Sequence, residues 1–488
     1  MTVPPRIPTY LATCKSRLAR VAGWTWAMLA MALAHAVWMS WLQVDMHLGL
    51  GTFAYDVGLY DQGVWLLSRG EAPFVTLMGR NLLGDHASLI LFFVVPFYWV
   101  VPGTATLLVI QAFVIAAGAI PIYLFARGVL HSHVMGFAAA FLWLANPAVN
   151  GSGMENFHPD SFLGLFIPLT LYAAHERKWR LFAVAVVLAV MVKEDVLLVM
   201  VPLGLYVAWK YDRKKGLVAA AVSIVVTLLG MFILMRSLIG VPTRNEWRIP
   251  FGGVRGFIAE TFTNPIAVIT HIFSQERPLY LFQMTAPFAG LFLLAPAMAL
   301  VAAPVILSNM VSTFWYQHSI QYHYSIVVVG PLVFATVLAI SKLGHNLGKI
   351  AMAATCVCTL STSYLWGQHS LAHTPRAVLG AQAPVAVAAR DIISSIPPDA
   401  VVSVYDPLVT FLAHRKEVYF FPNPFRALYY GVDSSLEGTR LPGADRVEYV
   451  VLPRTMNEQL SWDWSLVSAD FEEIDSNTYW QMFQRISR

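Results

Sequence analysis

Residues 53–62 (FAYDVGLYDQ) carry Asp56 and Asp61, and Asp85-His86 follows some twenty residues later. Only 12% of the 488 residues are charged, so carboxylates gathered this closely point to chemistry. A carboxylate can take a proton from an acceptor hydroxyl as general base. Two further acidic clusters carry bases and imidazoles: Glu155-Asn156-Phe157-His158-Pro159-Asp160 and Lys193-Glu194-Asp195. An aromatic run at 315–324 contains His318, His323 and Tyr324, and residues 244–255 supply Arg244, Arg248 and Arg255. Cations of this kind can hold a phosphate leaving group.

Each residue also has a bland reading. Asp56 could cap a helix, although no Glu or Gln stands three residues on to complete a capping box. Asp56 and Asp61 are five apart, about 140° around a helix, so they do not share a face, and one of them is expected to be structural. Asp56 is favoured as the base. Asp85-His86 could be a turn, His158-Pro159-Asp160 a helix start, and the Lys193 triplet an internal ion pair. The run at 315–324 could be an interfacial aromatic belt. No spacing requires a cofactor. If a divalent ion such as Mg or Mn binds, Asp56, Asp85 and His86 are its expected ligands.

These clusters are set in an apolar chain. Hydrophobic residues make up 57% and mean hydropathy is +0.60. A soluble domain is nearer 45–50% apolar and about 25% charged. Repeated apolar runs near 20 residues predict a polytopic helical membrane protein. The net charge of +4 and the lack of a long basic block exclude a nucleic-acid partner. Cys14, Cys356 and Cys358 form neither a zinc pattern nor a disulfide framework. The first apolar run follows Lys15, Arg17 and Arg20 and is longer than a signal h-region, so it reads as an uncleaved span.

Placing the basic clusters inside sets the orientation. The expected spans are 21–42, 104–126, 133–149, 161–175, two short ones within 181–209, 217–239, two within 279–311, 325–341 and 350–367, about eleven in all. The run 88–101 is short for a span and reads as an interfacial or re-entrant helix. The protein is then expected in the cytoplasmic (inner) membrane, with its N-terminus on the inner side and its C-terminal domain outside, and every acidic cluster lies at or above the outer surface. The expected domains are a membrane domain, 1–367, with a large first external loop at 43–103, and an external α/β domain, 368–488. In the latter, strands are expected at 399–405, 417–421, 447–452 and within 471–485, with a short helix at 407–414. Convergence of polar groups from separate loops on one face is the expected form of an active site at a membrane boundary.

The ordered series YDVGLYDQGVW, GDHASLILFFVVPFYWVVP, ENFHPDS, VKED and QYHYS resembles a family of multi-pass membrane proteins of bacteria and archaea without an assigned function. That family is similar to the GT-C glycosyltransferases. The resemblance implies a polyprenyl-phosphate sugar as donor and a catalytic carboxylate in the first external loop, here Asp56 or Asp61. It implies a juxtamembrane helix at 88–101. Many GT-C members have adjacent acidic pairs in this loop, and here the two Asp residues are five apart.

The expected function is therefore transfer of a sugar from a polyprenyl-phosphate donor to a cell-envelope glycan, lipid or protein at the outer membrane face. Asp56 and Asp61 are the catalytic candidates. Asp85, His86, Glu155, His158, Asp160, Lys193, Glu194, Arg255, His323 and Tyr324 are the candidates for substrate binding. Two rivals are a transporter or flippase of a lipid-linked substrate and a non-catalytic envelope scaffold. The first would need polar groups on both sides of the midplane and a repeat, and neither is seen. The second predicts that replacing Asp56 leaves function intact.

Overall fold

A computed structural model describes residues 23–486. Cys14, the basic cluster Lys15, Arg17 and Arg20, and the start of the first expected span lie outside the described residues.

The apolar runs fold as helices because, in lipid, a helix satisfies its own backbone groups. Four are long and apolar enough to cross a membrane: Gly23–Leu48, Thr104–Leu130, Arg213–Ile239 and His323–Ile340. A fifth pair, His133–Leu144 and Pro147–Met154, is bent by 47°. Pro147, which cannot donate to the preceding turn, explains the break. Other expected spans are assembled from shorter pieces. The run 279–311 is divided into Arg277–Thr285, Pro296–Ala299 and Ala303–Val311. The run 181–209 is two helices, Trp179–Val190 and Leu197–Lys210, with Lys193-Glu194-Asp195 at their junction. The run 88–101 is a 3-10 segment, Leu89–Phe93, followed by the single turn Val95–Tyr98. Phe92, Phe93, Phe97, Trp99, Val100 and Val101 are all exposed there.

The C-terminal residues form a five-stranded sheet. Its strands are β3 (Val402–Val404), β4 (Val418–Phe420), β5 (Tyr449–Pro453), β6 (Phe471–Ser476) and β7 (Trp480–Arg485), in the order β4-β3-β5-β7-β6. The strands β1 (Phe74–Val75) and β2 (Arg80–Asn81) form a separate hairpin in the first loop. β3 pairs in parallel with β4 and β5, and β7 pairs antiparallel with β5 and β6. Val402, Val404, Val418 and Val451 are fully buried, as expected for strands covered on both faces. The helix Glu458–Ser465 connects β5 to the β6–β7 pair.

The sheet is tied to the first loop. Gln62 donates to the Arg415 carbonyl at 3.2 Å, and Thr76 donates to the Val418 carbonyl at 2.8 Å. Arg80 Nη1 donates to the Gly431 carbonyl at 2.7 Å. These bonds join residues some 340–350 positions apart and fix the loop as one wall of a cavity.

Candidate active site

The first loop enters the helix Leu59–Ser68 through an irregular turn. Asp56 has φ +69° and ψ −103°, a conformation a side chain disfavours. Strain of this kind costs about 1–3 kcal/mol and persists only where surroundings impose it. Three contacts impose it here. The Ala54 N–H donates to Asp406 Oδ1 at 2.7 Å, the Tyr55 hydroxyl donates to the Tyr429 carbonyl, and the Gly58 N–H donates to the Phe53 carbonyl at 3.2 Å.

The turn opens Asp56 to a cavity of about 610 Å³. Asp56, Asp85, His86, Glu155, His158, Lys193, His323 and Tyr324, all singled out in the sequence, line it together. They come from five separate segments of the chain. Arg80, Arg244, Arg248, Trp247, Phe314 and Tyr429 complete the wall.

Asp56 Oδ1 lies 3.2 Å from His158 Nε2, and its side chain keeps 45% of its surface open. His158 Nδ1 lies 3.0 Å from the Asn156 carbonyl. A protonated ring donates at both nitrogens, and both neighbours here accept. Burial alone would lower the His158 pKa, but the Glu155 and Asp56 carboxylates outweigh it and lift it to about 9. Burial likewise raises Asp56, and the charge and hydrogen bond of His158 more than offset this, leaving Asp56 below its usual range. Asp56 is thus held ionised. Glu155 differs: burial pushes it up to about 8. It accepts from the His323 backbone N–H at 2.6 Å and lies 3.0 Å from His323 Nδ1.

Cationic groups face these carboxylates. Lys193 Nζ is 3.7 Å from Asp160 and 3.5 Å from Asp195. Burial opposes its charge, and those two carboxylates restore it. Arg244 lies 3.9 Å from Asp85, whose tighter partner is Arg80 at 2.8 Å. Arg248 Nη1 donates to the Tyr324 hydroxyl at 3.3 Å, and its guanidinium stands 4.3 Å from the Phe314 ring centroid. The Nε atoms of both Arg244 and Arg248 are buried without a hydrogen-bond partner. Buried donors of that kind are costly unless a ligand satisfies them.

Other expected residues lie elsewhere. Asp61 does not reach the cavity. It is 1% exposed and accepts from the Tyr98 hydroxyl at 2.6 Å and the Thr104 hydroxyl at 2.6 Å, with His414 Nε2 at 2.8 Å. Arg255 is exposed on the helix Gly253–Thr263, and Arg244 and Arg248 stand where it was expected. Asp160 and Glu194 lie behind the wall, the first holding Lys193 and the second lying 2.7 Å from His86 Nδ1. The expected ion-binding set Asp56, Asp85 and His86 shares the cavity, but Asp85 is engaged by Arg80 and His86 by Glu194, and the three do not form a close ligand group.

A different trio, Glu155, His158 and His323, brings its potential ligand atoms within 4.8 Å of one another. The two imidazoles are stacked, with centroids 3.6 Å apart and planes 19° from parallel. Nitrogen lone pairs lie in the ring plane, so near-parallel rings at that spacing do not aim at one ion about 2.0–2.1 Å from each. The trio fits a metal poorly unless one ring turns.

Tyr429 and Arg80 carried no signal in the sequence. Tyr429 reaches the cavity from the C-terminal sheet region, and Arg80 lies in the β1–β2 hairpin; only the long-range pairing brings them here.

A comparison with the curated proteins returned no match. Solved structures do share the fold. The crystal structure of ArnT from Cupriavidus metallidurans bound to undecaprenyl phosphate aligns over 96% of this chain and 99% of its own, at 13% identity and a TM-score of 0.57. The apo structure of the same protein aligns over 95% and 98%, at 13% identity and a TM-score of 0.55. The chain therefore shares the fold of these structures, mostly helical with a small C-terminal sheet. With residues 46–482 matched, the chain belongs to the family described as "Predicted membrane protein (DUF2079)".

Proposed function

We propose that the protein is a membrane glycosyltransferase. It would move a sugar from a polyprenyl-phosphate donor to a cell-envelope acceptor at the outer face of the cytoplasmic membrane. The observation that carries this reading is the pairing of an ionised Asp56 with an opposed cationic wall in one cavity, where Arg244 and Arg248 keep unpartnered Nε donors. The ArnT structure holding undecaprenyl phosphate supports the same donor class.

In this reading the acceptor hydroxyl lies against Asp56 and its oxygen attacks the anomeric carbon. The new carbon–oxygen bond forms as the bond from that carbon to the phosphate oxygen breaks. Asp56 takes the hydroxyl proton. The electron pair leaves with the lipid phosphate, whose growing charge is met by Arg244, Arg248 and Lys193. His158 keeps Asp56 ionised and oriented. Tyr429, Phe314 and Trp247 offer flat apolar faces to the sugar. The C-terminal residues close one wall of the site and belong to the same working unit.

The test uses protein in nanodiscs with a panel of radiolabelled polyprenyl-phosphate sugars, following loss of lipid-linked label. Consumption by wild type and not by Asp56→Asn supports the transferase. Tight donor binding without consumption by either would favour transport or scaffolding.

A further inference from the structure

Between the expected spans 217–239 and 279–311 the chain folds into two short helices, Gly253–Thr263 and Pro265–Ile272. Neither is long enough to span a bilayer, which takes about 20 residues. Both are nevertheless apolar on an open face. On the first, Val254, Ile258 and Phe262 are exposed by 46, 53 and 82%. On the second, Ile266 and Ile269, with Phe273 just beyond it, are exposed by 74, 57 and 58%. Spacings of four, and of three then four, put each trio on one helix face. Of these nineteen helical positions only Gly253 and Val268 are buried. Water-facing helices do not carry such a stripe without something to cover it.

The stripe is joined directly to the cavity. Arg244, Asn245, Trp247 and Arg248 line the cavity immediately before it. Gly252 and Gly253, with φ of +84° and +86°, make the turn between them. The Arg248 carbonyl accepts from the Thr313 N–H at 2.8 Å, and His271 Nε2 lies 2.8 Å from the Val311 carbonyl. The helices are thus held at both ends to the polypeptide around 311–313. The helices pack on each other, on the turn Glu246–Arg248 and on the helix Ala303–Val311, and the cavity arginines stand at one edge of their open face.

We propose that the helix pair Gly253–Thr263 and Pro265–Ile272 lies in the outer leaflet of the bilayer. Its stripe is buried among acyl chains, so that Arg244 and Arg248 stand at the level of lipid phosphates. The occupant of the stripe is the lipid itself. Helices of this type bury an apolar face at the boundary between headgroups and chains, and the adjoining arginines match the anionic headgroup level. The placement in the outer leaflet rests on the orientation given under the proposed function; burial in lipid does not depend on catalysis.

The test is spin-label accessibility in nanodiscs. In full-length protein with Cys14, Cys356 and Cys358 replaced by Ala, single cysteines are introduced as Ile258→Cys, Phe262→Cys, Ile266→Cys, Asn245→Cys and Glu260→Cys. Collisions with oxygen, which concentrates in lipid, are compared with those of a nickel chelate, which stays in water. Oxygen should dominate at 258, 262 and 266, and the nickel chelate at 245 and 260. Nickel access along the whole stripe would overturn the proposal, because the face would then be in water. Exclusion of both reagents from the stripe would also overturn it, because protein rather than lipid would cover the face. Donor turnover plays no part in the readout, so failure of the transferase reading leaves this result interpretable.

Discussion

Asp56 Oδ1 and His158 Nε2 meet 3.2 Å apart, with the aspartate in a strained turn and the imidazole buried beneath it. A carboxylate held this way needs its cation to stay ionised. In His158→Gln that charge is lost, and burial, the largest influence on Asp56, acts without its main counterweight. The Asp56 pKa then rises. A general base works only when deprotonated, so activity is lost as pH falls through its pKa. The acid limb of kcat/KM should therefore move to higher pH in His158→Gln. A pH profile of donor consumption for the two proteins checks this. An unmoved limb would mean that Asp56 is not the group titrating.

Asp61 makes a contrasting prediction. Its oxygens are engaged by Tyr98, Thr104 and His414, which come from the short helical turn 95–98, the following long helix and the sheet region. Asp61→Ala strands these partners and should cost about 2–5 kcal/mol of stability. Thermal unfolding in nanodiscs would read this as a lowered Tm. Donor consumption at a temperature where the variant stays folded should remain near wild type. Loss of turnover without loss of stability would instead return Asp61 to the catalytic role expected from sequence.

The contrast between these two aspartates shows what a sequence of this kind discloses. In a chain that is 57% hydrophobic, a polar residue outside the basic anchors is conspicuous, so Asp56, Glu155, His158, Lys193 and His323 could be picked out one by one. Hydropathy also marked the long helices, since lipid leaves the backbone no alternative. What hydropathy does not carry is direction. Asp56 and Asp61 differ in which way a turn aims them, and that turn is fixed by Asp406 and Tyr429, more than 350 positions away. Arg255 was preferred to Arg244 and Arg248 for the same reason: the three share one loop, and only its folding separates them. In the run 279–311 the prolines could be read as breaks from sequence, and Pro296 and Pro304 do stand in the first turns of Pro296–Ala299 and Ala303–Val311, where the missing N–H costs nothing.

The cationic wall should act through the leaving group. Arg244 and Arg248 keep buried Nε donors without partners, whereas Arg255 stands outside the cavity. Arg244→Ala and Arg248→Ala should each lower kcat/KM about 10- to 100-fold, and Arg255→Ala should not. If the arginines meet the phosphate mainly in the transition state, kcat carries the loss; if they hold the bound donor equally, KM carries it. Initial rates over a range of donor concentrations separate the two. Equal effects from all three arginines would point to a general surface charge rather than a built phosphate site.

Asp406 tests whether the C-terminal sheet region shapes the site. Its Oδ1 accepts the Ala54 N–H at 2.7 Å, two residues before Asp56, and it does not line the cavity. Burial raises its pKa, the bond from Ala54 opposes this, and the nearby Asp56 charge adds to the rise. What Asp406 must offer is therefore an acceptor oxygen in the right place rather than a full charge. Asp406→Asn keeps such an oxygen and should retain activity near wild type. Asp406→Ala releases the turn, lets Asp56 relax from its strained φ, and should lower kcat about 10- to 100-fold, as small misplacements of a reacting group do. The donor KM should stay unchanged, because Arg244, Arg248 and Lys193 are held by Asp85, Tyr324 and Asp160 and not by Asp406. Parallel assays of the two variants, with unfolding curves to confirm that both are folded, decide the point. Equal loss in Asn and Ala would show that the charge of Asp406 matters and not the hydrogen bond that holds Ala54.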